Sequence, residues 1–141
     1  MVSSVAVASE QKLLAELTVQ TKLTHSETLM PHIEQVLQLA GVEKGQLEGI
    51  GVSIGPGSFT GLRIGLAAAK GMAYALQVPI VGCSTLEAMA WNCPSEGIYT
   101  GSMVDAQKGN AYAAFYYWKS GILQAQAPVR ILPLTDAVSY A

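Results

Sequence analysis

Two histidines, His25 and His32, and one glycine-rich stretch, Gly55-Pro56-Gly57-Ser58-Phe59-Thr60-Gly61, are where chemistry could reside in this sequence. Seven residues separate the histidines, which is two turns or roughly 10 Å on a continuous helix. Sharing one metal ion would need large side-chain convergence and a third ligand. His25 therefore reads as a polar helix-terminal residue and His32 as an interface or surface residue. The glycine stretch falls between a strand and a helix, where exposed backbone N–H groups beside a positive helix N-terminus can cradle a phosphate. Neither phosphate motif fits, however. A P-loop ends in Gly-Lys-Ser/Thr, whereas this loop ends in Thr60-Gly61-Leu62-Arg63. A dinucleotide fingerprint needs GxGxxG, and here the third glycine arrives one residue late. The acidic ribose-binding residue of that fingerprint is replaced by Gly82 and Cys83. A tight strand-to-helix turn is the favoured reading. Ser58 and Thr60 have no base nearby in sequence, and Ser58 is not in a GxSxG elbow. Asp105 reads as a turn cap and Asp136 as a helix-start residue. Tyr99, Tyr112, Tyr116, Tyr117 and Trp118 could stack bases, but their placement on short strands favours packing. No catalytic, cofactor-binding or metal-binding residue emerges.

Around these residues the sequence describes an α/β protein. Of 141 residues, half are hydrophobic and only 13% are charged, which is ample for a core and excludes a disordered polar tail. A net charge of −2 and eight scattered basic residues argue against unaided binding of nucleic acid, which needs clustered positive charge. Cys83 and Cys93 lack CxxC spacing and read as two buried reduced thiols of a cytoplasmic protein. Met1 to Ala8 has no basic n-region or sustained apolar run, so it is not a secretory signal. Arg63 and Lys70 interrupt the most apolar helical stretch, so no membrane span is expected.

Val5–Val7 and Leu13–Val19 read as a hairpin. Thr24-His25-Ser26-Glu27 has capping-box spacing, and Leu29, Ile33, Val36, Leu37 and Ala40 form one helical stripe that Gly41 ends. Pro31 favours a regular helix starting nearer Glu27 or Thr28. Gly49 to Gly55 reads as a strand whose glycines admit another backbone closely. A helix follows from about Leu62 to Leu76, then a strand over Val78–Val81, and a second capping box at Ser84-Thr85-Leu86-Glu87. The composition break at Asn92 to Gly97 is the best domain boundary. Beyond it lie strands near 98–105, 111–118 and 122–125, turns at 107–110 and 119–121, an extended piece between Pro128 and Pro133, and a short helix start at 135–138.

The helix after the glycine loop carries Gly61, Gly65, Ala69 and Ala73 at four-residue intervals, widened by Ala68 and Gly71. Each interior glycine costs a helix roughly 1 kcal/mol relative to alanine, so the pattern needs a reason. A smooth ridge lets a second helix or a sheet come close. Either this chain's own sheet or a partner can use it. Leu62, Leu66, Met72 and Leu76 supply bulk for burial on what reads as a partly different arc, which favours burial on two sides.

Ile54-Gly55-Pro56-Gly57-Ser58-Phe59-Thr60-Gly61-Leu62-Arg63-Ile64-Gly65 closely resembles the hallmark of the TsaB (YeaZ) family. Three further blocks agree in collinear order: His25-Ser26-Glu27 with Leu29 and Pro31; Val78 to Gly82 leading to Ser84-Thr85-Leu86-Glu87-Ala88; and Val104-Asp105-Ala106 before Tyr112. The resemblance implies an actin-like ATPase fold of ribonuclease-H-like lobes, with a nearly complete first lobe over 1–96 and an incomplete second over 97–141. It implies a non-catalytic dimerization subunit, cytoplasmic, for forming N6-threonylcarbamoyladenosine next to the anticodon of tRNA. The implied partners are a TsaD-like catalytic paralogue, a TsaE-like ATPase and a second copy of the chain. tRNA is met only through the complex, and a nucleotide is possible at the assembled interface.

The implied interface lies on the helices at about 27–40 and 62–76, through Leu29, His32, Ile33, Val36, Gly61, Gly65, Ala68, Ala69, Met72 and Ala73. The paralogue's HxxxH metal motif corresponds here to Thr85 and Met89, which do not coordinate a metal as a histidine pair does. Family members also begin with a further strand bearing an Asp-Thr pair that nothing here matches. Without that central strand the sheet should show a gap or re-pair, and the reading expects a fragment or truncated chain. The competing readings are a nucleotide-dependent enzyme of the actin-like superclass or a glycoprotease-like metallopeptidase, and a dinucleotide-binding module. The first pair lacks acidic metal ligands, a phosphate-loop lysine and clustered histidines; the module would show a thermal shift with NAD(P).

Overall fold

The computed structural model describes residues 2–20 and 25–139, with the backbone alone for 25–27 and 137–139. Residues 1–52 with 63–81 form one compact unit, and residues 53–62 with 82–141 form another. In the first unit, alternating residues build two antiparallel strands, β1 (Val2–Ala8) and β2 (Leu13–Gln20), with Val5 opposite Leu17 and Val7 opposite Ala15. Those four side chains pack with Ile33, Val36, Leu37 and Ala40 of helix α1 (His25–Ala40), so the apolar stripe of the helix is its buried face.

Helix α1 begins earlier than Pro31 suggests and carries that proline inside it. The missing N–H removes one helical bond, but the ring is exposed and displaces nothing from the core. Thr24 and the side chains of His25, Ser26 and Glu27, and with them the expected capping box, lie outside the described residues. At the other end Gly41 has φ +66°. Its N–H meets Gln38 O at 3.1 Å while Val42 N–H meets Leu37 O at 3.0 Å, which is a Schellman closure.

Strands β3 (Ile50–Gly55) and β4 (Ile80–Ser84) form a separate two-stranded sheet, linked through helix α2 (Phe59–Leu76). Gly49 faces Pro79, Gly51 faces Val81 and Ile54 faces Gly82, so the two strands advance together and are parallel. No ladder joins β1–β2 to β3–β4 among the described residues.

In the second unit Ser84 caps helix α3 (Thr85–Ala90), its Oγ accepting the Glu87 N–H at 3.4 Å. Strands β5 (Tyr99–Gln107), β6 (Asn110–Lys119), β7 (Ile122–Ala125) and β8 (Arg130–Pro133) form one antiparallel sheet, followed by helix α4 (Leu134–Ser139). Strand β6 is central: β5 lies along one edge, while β7 pairs with residues 116–119 and β8 with residues 110–113 of the same strand. Two tight turns made of positive-φ residues, Lys108-Gly109 and Ser120-Gly121, suit the right-handed strand twist. Asp105 caps the first by accepting the Gln107 N–H at 2.7 Å. Helix α3, which the sequence groups with the first lobe, packs Leu86 and Ala90 on Ala114 and Tyr116 of β6.

Both cysteines are exposed, contrary to the buried thiols read from sequence. Residues 80–83 of β4 are all exposed, so Cys83 sits on an uncovered strand, and Cys93 follows the end of α3.

Candidate partner-binding helices and the glycine loop

The glycine loop is shorter than the sequence motif. Phe59, Thr60 and Gly61 are the first turn of α2, and Ser58 is its cap, with Ser58 O accepting the Leu62 N–H at 2.9 Å and Ser58 Oγ the Gly61 N–H at 3.3 Å. The loop proper is Gly55-Pro56-Gly57. Gly55 has φ +99°, and a Cβ there would lie 3.0 Å from Leu62 Cδ1, so both backbone and space require glycine. Strand glycines behave differently. A Cβ at Gly49 or Gly51 would make ordinary contacts, which corrects the close approach expected there; the close approach is at Gly82, where a Cβ would sit 2.7 Å from Ile54 Cγ2.

At the carboxyl ends of β3 and β4 the Ser53 and Thr85 hydroxyls meet at 2.8 Å. Thr85 and Met89 are the two positions that the family resemblance sets against a histidine pair. The first is engaged with Ser53, and the second is an exposed thioether one turn further along α3.

On α1, Leu29, His32 and Ile33 are half-buried. His32 Nδ1 lies 3.2 Å from Ser3 Oγ of β1, which turns the ring toward the hairpin. Val36 is fully buried against Val7 and Leu37, so the structure moves it from the candidate interface into the core. Helix α2 divides in the same way. Ala69 and Ala73 are 8% and 6% exposed, so the C-terminal half of the small ridge is covered by this chain itself. At about 100° per residue, Leu62, Leu66 and Leu76 fall within about 60° of Ala69. Large and small residues thus share one arc, not two, which corrects the two-sided reading. Gly65 and Met72 lie on that arc too, about 40° and 60° from Ala69, with Ala68 just outside it. All three are half-buried, and among the described residues a Cβ on Gly65 or Gly71 would meet nothing within 4 Å.

Sequence reasoning passed over the large apolar side chains that stand free: Met30 and Leu39 on α1, and Tyr74 on α2, 80% exposed. Their signal was an apolar residue outside the buried stripe. In the second unit Tyr116 and Trp118 are buried, while exposed Tyr99 lies 4.7 Å from Tyr117, so the aromatics divide between core and sheet surface. Among the described residues no helix is long and apolar enough to cross a membrane.

Comparison with known proteins bears on this geometry. The family model described as TsaD, tRNA N6-adenosine threonylcarbamoyltransferase, matches residues 12–137. The tRNA threonylcarbamoyladenosine biosynthesis protein TsaB of Bacillus subtilis is 33% identical over 132 residues, covering 94% of this chain and 58% of that protein. TsaB of Escherichia coli is 33% identical over 94 residues, covering 65% of this chain and 41% of that protein. The tRNA N6-adenosine threonylcarbamoyltransferase of Geotalea uraniireducens is 48% identical over 63 residues, covering 45% of this chain and 18% of that protein. Among solved structures, YeaZ from Pseudomonas aeruginosa superposes with a TM-score of 0.80 at 27% identity, covering 94% of this chain and 62% of that one. The chain thus spans about three-fifths of the length of its full-coverage relatives.

Proposed function

This chain belongs to the TsaD family, where it stands with the TsaB (YeaZ) proteins, and from that premise we propose that it is a non-catalytic interaction subunit in the formation of N6-threonylcarbamoyladenosine on tRNA. Its partner is a TsaD-like catalytic paralogue, with a second copy of the chain as the alternative occupant of the same surface. A TsaE-like ATPase joins the assembly, any nucleotide lies at the assembled interface, and tRNA reaches this subunit only through the complex. The net charge of −2 supports that last point, because phosphate contacts need clustered cations.

The observation that carries the reading is Gly65: a half-buried helical glycine on the apolar arc of α2, with no described atom within 4 Å of where a Cβ would go. Glycine in mid-helix is unfavourable unless something comes close, and among the described residues nothing comes within 4 Å of a Cβ there. The proposed contact surface is Leu29, His32 and Ile33 on α1, and Gly61, Gly65, Ala68 and Met72 on α2, together with the free Met30, Leu39 and Tyr74. Val36, Ala69 and Ala73 support it from beneath. The Ser53-bonded Thr85 and exposed Met89 at the position of a histidine pair favour a scaffold over a metal enzyme.

Gly65→Trp tests the proposal. The expected result is a chain with unchanged circular dichroism that no longer dimerizes by light scattering and no longer co-purifies with the TsaD-like protein of the same cell. Unchanged association after that substitution would remove α2 from the interface.

A further inference from the structure

We propose that Glu96 is a latch that holds the segment between α3 and β5 against the β6–β7 turn and so keeps the chain's two tryptophans in contact. Its carboxylate spans two backbone amides, accepting the Ser120 N–H through Oε1 at 2.7 Å and the Gly121 N–H through Oε2 at 3.2 Å. Both residues are left-handed, with φ of +54° and +74°, and consecutive amides in such a turn form a small concavity suited to an anion. The residue after the latch continues the sheet: Gly97 N–H donates to Trp118 O at 3.0 Å, and Trp118 N–H donates to Ile98 O at 3.3 Å.

Upstream, α3 ends on Trp91, whose ring meets Trp118 edge to face at a centroid distance of 4.8 Å and 89°. Trp118 is buried, its indole N–H meets no acceptor among the described residues, and its ring packs on Trp91. The residues between the two tryptophans are tied down at Glu96. Charged groups on the elements the latch joins are Lys119 at the end of β6, Glu87 on α3 and Asp105 at the far end of β5; the last is occupied with Gln107 N–H.

Two charge-assisted hydrogen bonds favour the ionised carboxylate, and the Ser120 amide, then the Gly121 amide, holds its pKa below the ordinary 4.5. The folded value is depressed, so the latch is fully closed above pH 4.5 and is lost as pH falls through the lower folded value.

Amide and indole NMR of the whole chain decides the matter. In the wild type the Ser120 and Gly121 amide resonances should titrate together, with a midpoint below pH 4.5. In Glu96→Gln that titration should vanish. In Glu96→Ala both indole resonances should shift and acrylamide should quench tryptophan fluorescence more strongly, with the Val104 and Tyr112 amides unmoved as a check on the sheet. Amides that do not titrate, or that titrate equally in Glu96→Gln, overturn the latch. Unshifted indoles in Glu96→Ala overturn its hold on the tryptophans. If Glu96→Ala fails to fold, the wild-type and Glu96→Gln titrations still decide the latch.

Discussion

Two glycines look alike in sequence and are opposite in the structure. A Cβ at Gly82 would sit 2.7 Å from Ile54 Cγ2, a branch atom on a side chain that is stiff at χ1. Gly82→Ala should therefore cost about 1–3 kcal/mol through overpacking. Ile54→Ala, which removes that methyl from an exposed side chain, should recover much of the loss in the double variant, and a double-mutant cycle by urea unfolding measures the coupling. At Gly65 a Cβ meets nothing. Gly65→Ala should raise unfolding stability by up to about 1 kcal/mol, because alanine is the better helix former. If α2 is a docking surface, the same variant weakens association even as the monomer becomes more stable, and unfolding and light scattering together show the two effects moving in opposite senses. Neither role is written in the residue letters, because the difference lies in what stands opposite each glycine.

At the scale of elements, local chemistry was readable where a residue closes its own helix or turn. Ser84 caps α3, Gly41 closes α1 and Asp105 caps its turn, each within three residues of its partner. Helix α2 was misread at its start, which lies three residues ahead of the expected Leu62, while its end at Leu76 was read correctly. The start was hidden by glycines that suit a loop and a helix alike; just past the end, Gln77 is left-handed at φ +56° where glycine is the usual choice. Val78 N–H to Ala73 O at 3.1 Å shows the same closure as at Gly41. Removing the Cβ strain with Gln77→Gly should stabilise the chain by roughly 0.5–1 kcal/mol after glycine's own entropy is counted, read as a higher midpoint of thermal unfolding. The docking of α3 on the second sheet was not legible, since that contact joins residues some thirty positions apart. It has a pH signature. Burial raises the Tyr116 pKa above 10.0, a hydrogen bond from Ser84 partly offsets this, and the nearby Glu87 charge adds to it. A raised folded value means stability is intact below pH 10 and falls as pH climbs through the folded value. Tyr116→Phe should flatten that alkaline loss in unfolding titrations, although it gives up the Ser84 bond at every pH.

For the whole molecule, the order of strands and helices follows from alternation, helical stripes and turn residues. The separation of β1–β2 from β3–β4 among the described residues was not readable from residue types, because strand pairing joins positions far apart in sequence. The candidate interface was half legible. Sequence located the two helices, but Val36, Ala69 and Ala73 turned inward because each shares an arc with larger apolar residues. The exposed side chains of α1 and α2 include the apolar Met30, Leu39 and Tyr74 alongside Glu34 and Lys70, and the chain's charge is low and dispersed. Association through such a surface is driven by burial of apolar area, which added salt does not screen, whereas exposed charge pairs weaken once the Debye length falls to about 3 Å near 1 M salt. The proposed complex with a TsaD-like partner should therefore survive from low salt to about 1 M sodium chloride with little change in dissociation constant, while the isolated chain should not retain tRNA at about 0.15 M salt. Isothermal titration of the partner across that salt range, with a filter-binding assay for tRNA, measures both. A partner affinity that falls steeply with salt would place the contact on charged residues and away from these two helix faces.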